Sequence, residues 1–295
     1  MIGRVLAWAA LAAGEKEPTL GEMIMRHVTD AHEIELPFVG VVRLPRWQPV
    51  HVGGLTIDLS PTKHVVMMLL AAALLCLVMI WTAQRTHGRT REDAPKGFAN
   101  MMEAFVIFLR DEVAMANIGH GGEKYVPYVL TLFFFILFAN LLGLLPWGAT
   151  ATGNLSVTAT LALLSLLVIE VSGFRTLGPK GYLKTIFYAP EGMGPVARSV
   201  MFVIMTPVEL VGKLAKPFAL AIRLFANMNA GHFVILALIG LTVSAGAIWY
   251  TAVPVLAPVV MAVAIMGLEL FVALLQAYIF AMLTSVFIGL IRHAH

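Results

Sequence analysis

Residues 200–291, VMFVIMTPVELVGKLAKPFALAIRLFANMNAGHFVILALIGLTVSAGAIWYTAVPVLAPVVMAVAIMGLELFVALLQAYIFAMLTSVFIGLI, are ninety-two amino acids with five formal charges: Glu209, Lys213, Lys216, Arg223 and Glu269. One histidine, His232, joins them. Two ordinary membrane-crossing helices need only about forty residues. The stretch is therefore predicted to form two unusually long, tilted helices, at about 199–245 and 253–291, rather than four ordinary spans. Pro254 and Pro258 fall at the start of the second, where a first turn tolerates proline.

The composition of the whole chain agrees with this reading. Of 295 residues, 59% are apolar and 13% charged, against about 45–50% and about 25% in soluble domains. Mean hydropathy is +0.86. These values describe an all-α integral membrane protein. They exclude a soluble enzyme core, intrinsic disorder and a disulfide-stapled secreted scaffold. Cys76, the single cysteine, lies in an apolar run and can form no internal disulfide. A net charge of +3 is too small and dispersed to suggest nucleic acid, so the basic residues read as topology markers.

Working outward, residues 1–14 carry Arg4 followed by the apolar run Val5–Ala13. Nine apolar residues are too few to span a bilayer. They fit either a cleaved signal peptide or an uncleaved leader. Residues 15–62 are polar, hold five of the fifteen prolines and read as an extracytoplasmic arm. The first span is expected at about 64–84. Arg85, His87, Arg89, Arg91 and Lys96 follow it and mark the inner side. Residues 97–115 have helical apolar spacing broken by Asn100, Glu103, Arg110, Asp111 and Glu112, the pattern of an amphipathic helix on the inner membrane surface. Spans at about 125–147 and 155–175 form a hairpin. Arg175, Lys180, Lys184 and Arg198 mark the inner side again. Five crossings, with the N-terminus outside and the C-terminus in the cytoplasm, satisfy every basic loop.

Charges inside the hydrocarbon each need a reason, because burying one in a span costs a few kcal/mol. On an ideal helix with Arg223 at zero, Lys216 falls at about 20°, Glu209 and Asn227 at about 40°, and Lys213 at about 80°. These five polar side chains share one quadrant. His232 lies about 180° away and faces other partners. Glu269 and Gln276, seven residues apart, lie within about 20° of each other on the last helix. That helix returns antiparallel, which allows His232 and Glu269 to meet. A plainer reading pairs Arg223 with a carboxylate of its own chain, Glu170, Glu209 or Glu269. Lys213 and Lys216 are expected to snorkel to the interface, and Glu170 to sit there too. Glu209 reads either as a solvated cap or as a proton group, and Asn140 as packing glue between helices. Regularly repeated cations for voltage sensing, histidine pairs with metal-ligand spacing, nucleotide-binding glycine loops and nucleophile elbows are all missing from the sequence. No cofactor or metal is expected.

The segment Thr206–His232, TPVELVGKLAKPFALAIRLFANMNAGH, resembles the hallmark helix of subunit a of F-type ATP synthases. The matching elements are Pro-Val-Glu at 207–209, Lys-Pro at 216–217, Arg-Leu-Phe-Ala-Asn-Met at 223–228 and Ala-Gly at 230–231. Phe138–Pro146 (FANLLGLLP), Asn154–Thr158 (NLSVT) and Leu275–Phe280 (LQAYIF) match as well, and the resemblance runs from about Val65 to the C-terminus. It implies a non-catalytic proton-translocating subunit of the complex in a bacterial inner membrane. Residues 63–295 would then be the proton-channel domain, with a ring of c subunits, peripheral-stalk b subunits and the rest of the synthase as partners. It further implies that Arg223 is the arginine facing the ring. Asn227, His232, Glu269 and Gln276 would line an outer half-channel, and Glu209 an inner one. Many bacterial members carry a carboxylate after Ala-Gly and a histidine in the last helix; here these are exchanged, as in mitochondrial members. Two other classes explain less. A secondary proton or cation transporter should show internal repeats or broken midplane helices. A membrane anchor has no use for the polar quadrant.

Overall fold

The computed structural model describes residues 29–36, 40–52, 55–58, 60–86, 97–145, 150–187, 194–248 and 253–293. The leader and the basic stretch 87–96 lie outside the described residues. Six α-helices dominate: α1 Lys63–Thr86, α2 Phe98–Phe108, α3 Val126–Gly143, α4 Leu155–Ile186, α5 Pro195–Ile248 and α6 Val253–Arg292. All but α2 are long and apolar enough to cross a membrane. The arm contributes two short antiparallel hairpins, β1 Glu33–Leu36 with β2 Gly40–Arg43, and β3 Val50–Val52 with β4 Leu55–Ile57. Strands of three or four residues are too short to carry a legible alternation, and the sequence predicts no strand there.

The ends of the helices follow local chemistry. Pro127 sits in the first turn of α3, where its missing N–H costs nothing. Asn154 caps α4, its side chain accepting from the Ser156 N–H at 2.8 Å. The expected end of that span near 175 is not a stop. At Gly178 the backbone turns to φ 69°, ψ 173°, a conformation open to glycine and strained for other residues. Pro179 then starts a further helical segment to Ile186. The two long helices are present as such. At 54 residues, α5 would measure about 80 Å, far more than the ~30 Å hydrocarbon thickness. It cannot stand upright across a bilayer along its whole length.

Small residues set the helix packing. On α6, Ala273, Ala277, Ala281, Ser285 and Gly289 repeat every fourth position and are all buried. Such a stripe lets neighbouring backbones approach closely, and α6 packs against α3, α4 and α5. Any side chain at Gly289 would strike the Asn117 carbonyl, and one at Gly173 of α4 would strike Ile291. The surface helix is interrupted. After α2 the chain widens into a π-helical turn at Leu109–Met115 and closes with a short helix at Ala116–Ile118. Asn117 donates back to the Val113 carbonyl at 2.7 Å, and Leu109, Val113, Ala114 and Ile118 are buried against the bundle. Phe98, Met101, Ile107 and Phe108 keep an exposed apolar edge. The expected helix of 97–115 is thus part buttress and part surface.

Candidate functional site

Two polar assemblies occupy the bundle. The first is closed. Asn140 of α3 donates to the Ala273 carbonyl of α6 at 3.2 Å. Its own oxygen accepts from Thr152 at 2.7 Å, and Thr152 is hydrogen-bonded to Thr150 at 2.7 Å. Gly143 is obligatory there, because a methyl group would overlap Thr150. From α5, Asn229 donates to the Gly153 carbonyl at 3.0 Å and ties the same loop down. Asn140 therefore does act as packing glue.

The second assembly lies along α5 and α6. Asn227 donates to Gln276 at 3.1 Å, and Gln276 is only 2% exposed. One to two turns further along, the Glu269 carboxyl packs onto Gly231, so closely that a methyl group there would overlap it. The two pairings run in opposite directions along the helices, as antiparallel neighbours require. Glu269 thus comes to rest beside the residue that precedes His232. Glycine at 231 leaves the space for that carboxyl. His232 itself is half-buried.

Arg223 stands apart from both. It lies on an exposed face of α5, flanked one turn away on either side by Ala219 and Ala226, which are exposed as well. Among the described residues no carboxylate forms an ion pair with it. The possible internal partners are placed elsewhere. Glu269 is at Gly231. Glu209 lies fourteen residues back on α5 and is exposed. Glu170 of α4 is taken by Lys213, whose Nζ lies 3.3 Å from its Oε2, and by the Tyr182 hydroxyl, which donates to the same oxygen.

That last cluster departs from the sequence expectation. Lys213 does not snorkel free; its side chain is 12% exposed, lies over the Tyr182 ring at 4.6 Å and is held between helices. The signal was out of reach because Glu170 and Lys213 are forty-three residues apart. Lys216 covers the Phe287 ring at 5.0 Å. Glu170, Lys213, Lys216 and Phe287 line an open recess of about 120 Å³ between α4, α5 and α6, with Glu209 at its wall.

A third cluster was also missed. Asp30 of the arm meets His64 Nδ1 at 2.7 Å and accepts from Asn154 of α4 at 3.2 Å. Burial pushes the Asp30 carboxyl up, but the hydrogen bonds and charge of His64, with a hydrogen bond from Thr62, outweigh it together and hold the carboxyl below its ordinary 3.8.

The fold and these assemblies define a multi-pass helical membrane protein with an open charged helix face and buried polar seams. The ATP synthase A chain family model matches residues 65–289. The chain is 47% identical over 268 residues to ATP synthase subunit a of Chloroherpeton thalassium, covering 90% of this chain and 75% of that one. It is 44% identical over 282 residues to ATP synthase subunit a 2 of Chlorobaculum tepidum, covering 96% and 76%. With ATP synthase subunit a of Anaeromyxobacter dehalogenans it shares 43% over 298 residues, covering 97% and 74%. The chain belongs to the ATP synthase A chain family, a membrane-sector component of the ATP synthase complex.

Proposed function

We propose that this chain is the static half of a rotary proton path. In this reading Arg223 faces a rotating ring of c subunits, and two offset half-channels reach it from opposite sides of the membrane. The observation that carries the reading is Arg223 itself, a guanidinium on an exposed face of a membrane-spanning helix with no carboxylate of its own chain paired to it among the described residues. A permanent charge in such a place calls for a partner from another chain.

A carboxylate turning through lipid must be neutral, because an isolated charge there is too costly. Opposite Arg223 it can ionise, since the opposite charge favours the carboxylate form. Guanidinium suits the role because it stays protonated, whereas a lysine in that setting can lose its proton. Protons leave the ring on one side of Arg223 and join it on the other. Asn227, His232, Glu269 and Gln276 form the outer path and Glu209 the inner one. Each charge that crosses gains about 2.3 kcal/mol per 100 mV. The chain is not an enzyme by itself; the attached head makes the ATP, and peripheral-stalk b subunits hold this subunit still. Residues 63–295 are the channel domain, the arm lies outside, and the C-terminus is cytoplasmic. Co-purification tests the reading. A ring of small hairpin subunits should accompany the tagged chain, and its consistent absence from an intact preparation would overturn the proposal.

A further inference from the structure

The recess between α4, α5 and α6 contains two carboxylates, Glu170 and Glu209, and two ammonium groups, Lys213 and Lys216. It is formally neutral. That balance depends on a contact between helices, because three of the four charges belong to α5 and only Glu170 comes from α4. Lys213 follows Glu209 by one helical turn, so the two side chains share a face. Left to itself, α5 would offer Glu209 two neighbouring cations. Glu170 removes one of them, at 3.3 Å, and the Tyr182 hydroxyl fixes the carboxylate that does so. The wall from α6 is formed by Phe287, Leu290 and Ile291, none of which titrates. Arg292 is turned away, donating to the His120 carbonyl at 2.8 Å and lying over Tyr125.

We infer that Glu170 and Lys213 are positioning residues that set the proton affinity of the inner path by keeping the recess beside Glu209 electrically neutral. This rests on the proposed role of Glu209. Neither residue passes the proton on. Each fixes the field in which Glu209 binds it. The Lys213 and Glu170 side chains are only 12% and 23% exposed, so an uncompensated charge left on either is screened less than one in open water. The sign of the effect is the useful part. Without Glu170 the recess gains a positive charge, and protonation of Glu209 is disfavoured. Without Lys213 it gains a negative charge, and protonation is favoured.

The test uses inverted membrane vesicles carrying the whole complex, in which the inner path opens to the medium. ATP-driven proton uptake is followed against medium pH, with uncoupled ATP hydrolysis in the same vesicles as reference. Glu170→Gln should move the alkaline limb of the profile to lower pH by about half a unit. Lys213→Met should move it to higher pH by a similar amount. The double variant, which leaves no unpaired charge behind, should return it close to the parent. A role in packing alone predicts lost assembly or lower rates with no opposed shifts, and that result overturns the inference. The double variant keeps the test decisive should either single variant fail to assemble. If it assembles with a displaced limb, the inference fails as well. Glu209→Gln separates the two layers. If that variant alters the alkaline limb while the Glu170 and Lys213 variants do not, only the present inference falls. If it leaves the limb untouched, the inner path through this recess falls with it.

Discussion

The Asn140 seam and the Arg223 face lie in the same bundle and answer the same problem in opposite ways. At the seam, polar groups from α3, α6 and the loop before α4 find partners within the chain: Asn140 with Ala273 and Thr152, and Thr152 with Thr150. On the face, a full charge is presented among exposed Ala219 and Ala226, with no such closure among the described residues. Burial of polar groups in a membrane protein is expensive unless they are paired. The seam meets that cost internally and serves as structure. The face leaves the charge open, as the proposed contact with a partner requires. Location in the membrane alone does not separate the two cases; satisfaction of the polar group does.

The largest effect expected from this contrast is at Arg223. Arg223→Ala should abolish ATP-driven proton pumping while the complex still assembles, because among the described residues no ion pair of the chain is lost. Arg223→Lys should fail too, since an ammonium is a poorer and titratable substitute. Assembly is read from subunit stoichiometry and pumping from vesicle acidification. Normal pumping by an assembled Arg223→Ala complex would refute the proposed mechanism.

The next effect concerns His232 and Glu269, which sharpen the comparison because they lie between its extremes. The Glu269 carboxyl rests on Gly231, and one of its oxygens is buried without a hydrogen-bond partner among the described residues. His232→Ala and Glu269→Ala should each lower coupled pumping by about tenfold, within the usual reach of a positioned proton-transfer group. The double exchange, His232→Glu with Glu269→His, should restore much of it. Two defects that simply add, with no rescue, would mean that these residues do not form one site.

Asn140 gives the opposite signature. Asn140→Leu removes two hydrogen bonds that join α3 to α6 and to the loop, and should destabilise the assembled subunit by about 1–2 kcal/mol. Pumping per assembled complex should stay unchanged. Heat or detergent challenge of the purified complex measures the first, vesicle acidification the second. A stable complex with impaired pumping would move Asn140 into the working surface and break the distinction drawn above.

Much of this was legible in the sequence because period and charge are local signals. The five spans, the two long helices and the polar quadrant follow from the spacing of residues along one chain segment. The packing stripe of α6 is equally local, written as small residues every fourth position from Ala273 to Gly289, and a search for that spacing would have found it. Other features are not local. The Glu170–Lys213 pair joins helices forty-three residues apart in the chain. The Asp30–Asn154 contact spans 124. The Gly178 break was readable in part from the Gly-Pro pair, but its outcome was not, since the helix resumes instead of ending. The hairpins of the arm are held by pairing between strands too short to announce themselves.

The smallest predicted effect lies in that arm, at the contact that brings it to the bundle. Asp30 reaches His64 at the start of α1 and Asn154 at the cap of α4, so one carboxylate docks the arm on two helices. Because its carboxyl is held below its ordinary 3.8 in the folded chain, the docked state binds fewer protons than the released one. The stability this contributes is present above 3.8 and is lost as pH falls through the lowered value. Asp30 therefore favours docking throughout the neutral range and ceases to do so in strong acid. The size is modest, since the Asp30 side chain remains 32% exposed and solvent screens the pair. Hydrogen exchange of the backbone amides in β1 and β2 reads the docking directly. Their protection should fall between about pH 5 and about pH 3 in the parent, and Asp30→Asn should show the lower protection at both. Acid loosening that persists in Asp30→Asn would assign the effect to another group and leave the Asp30–His64 contact without a role in docking.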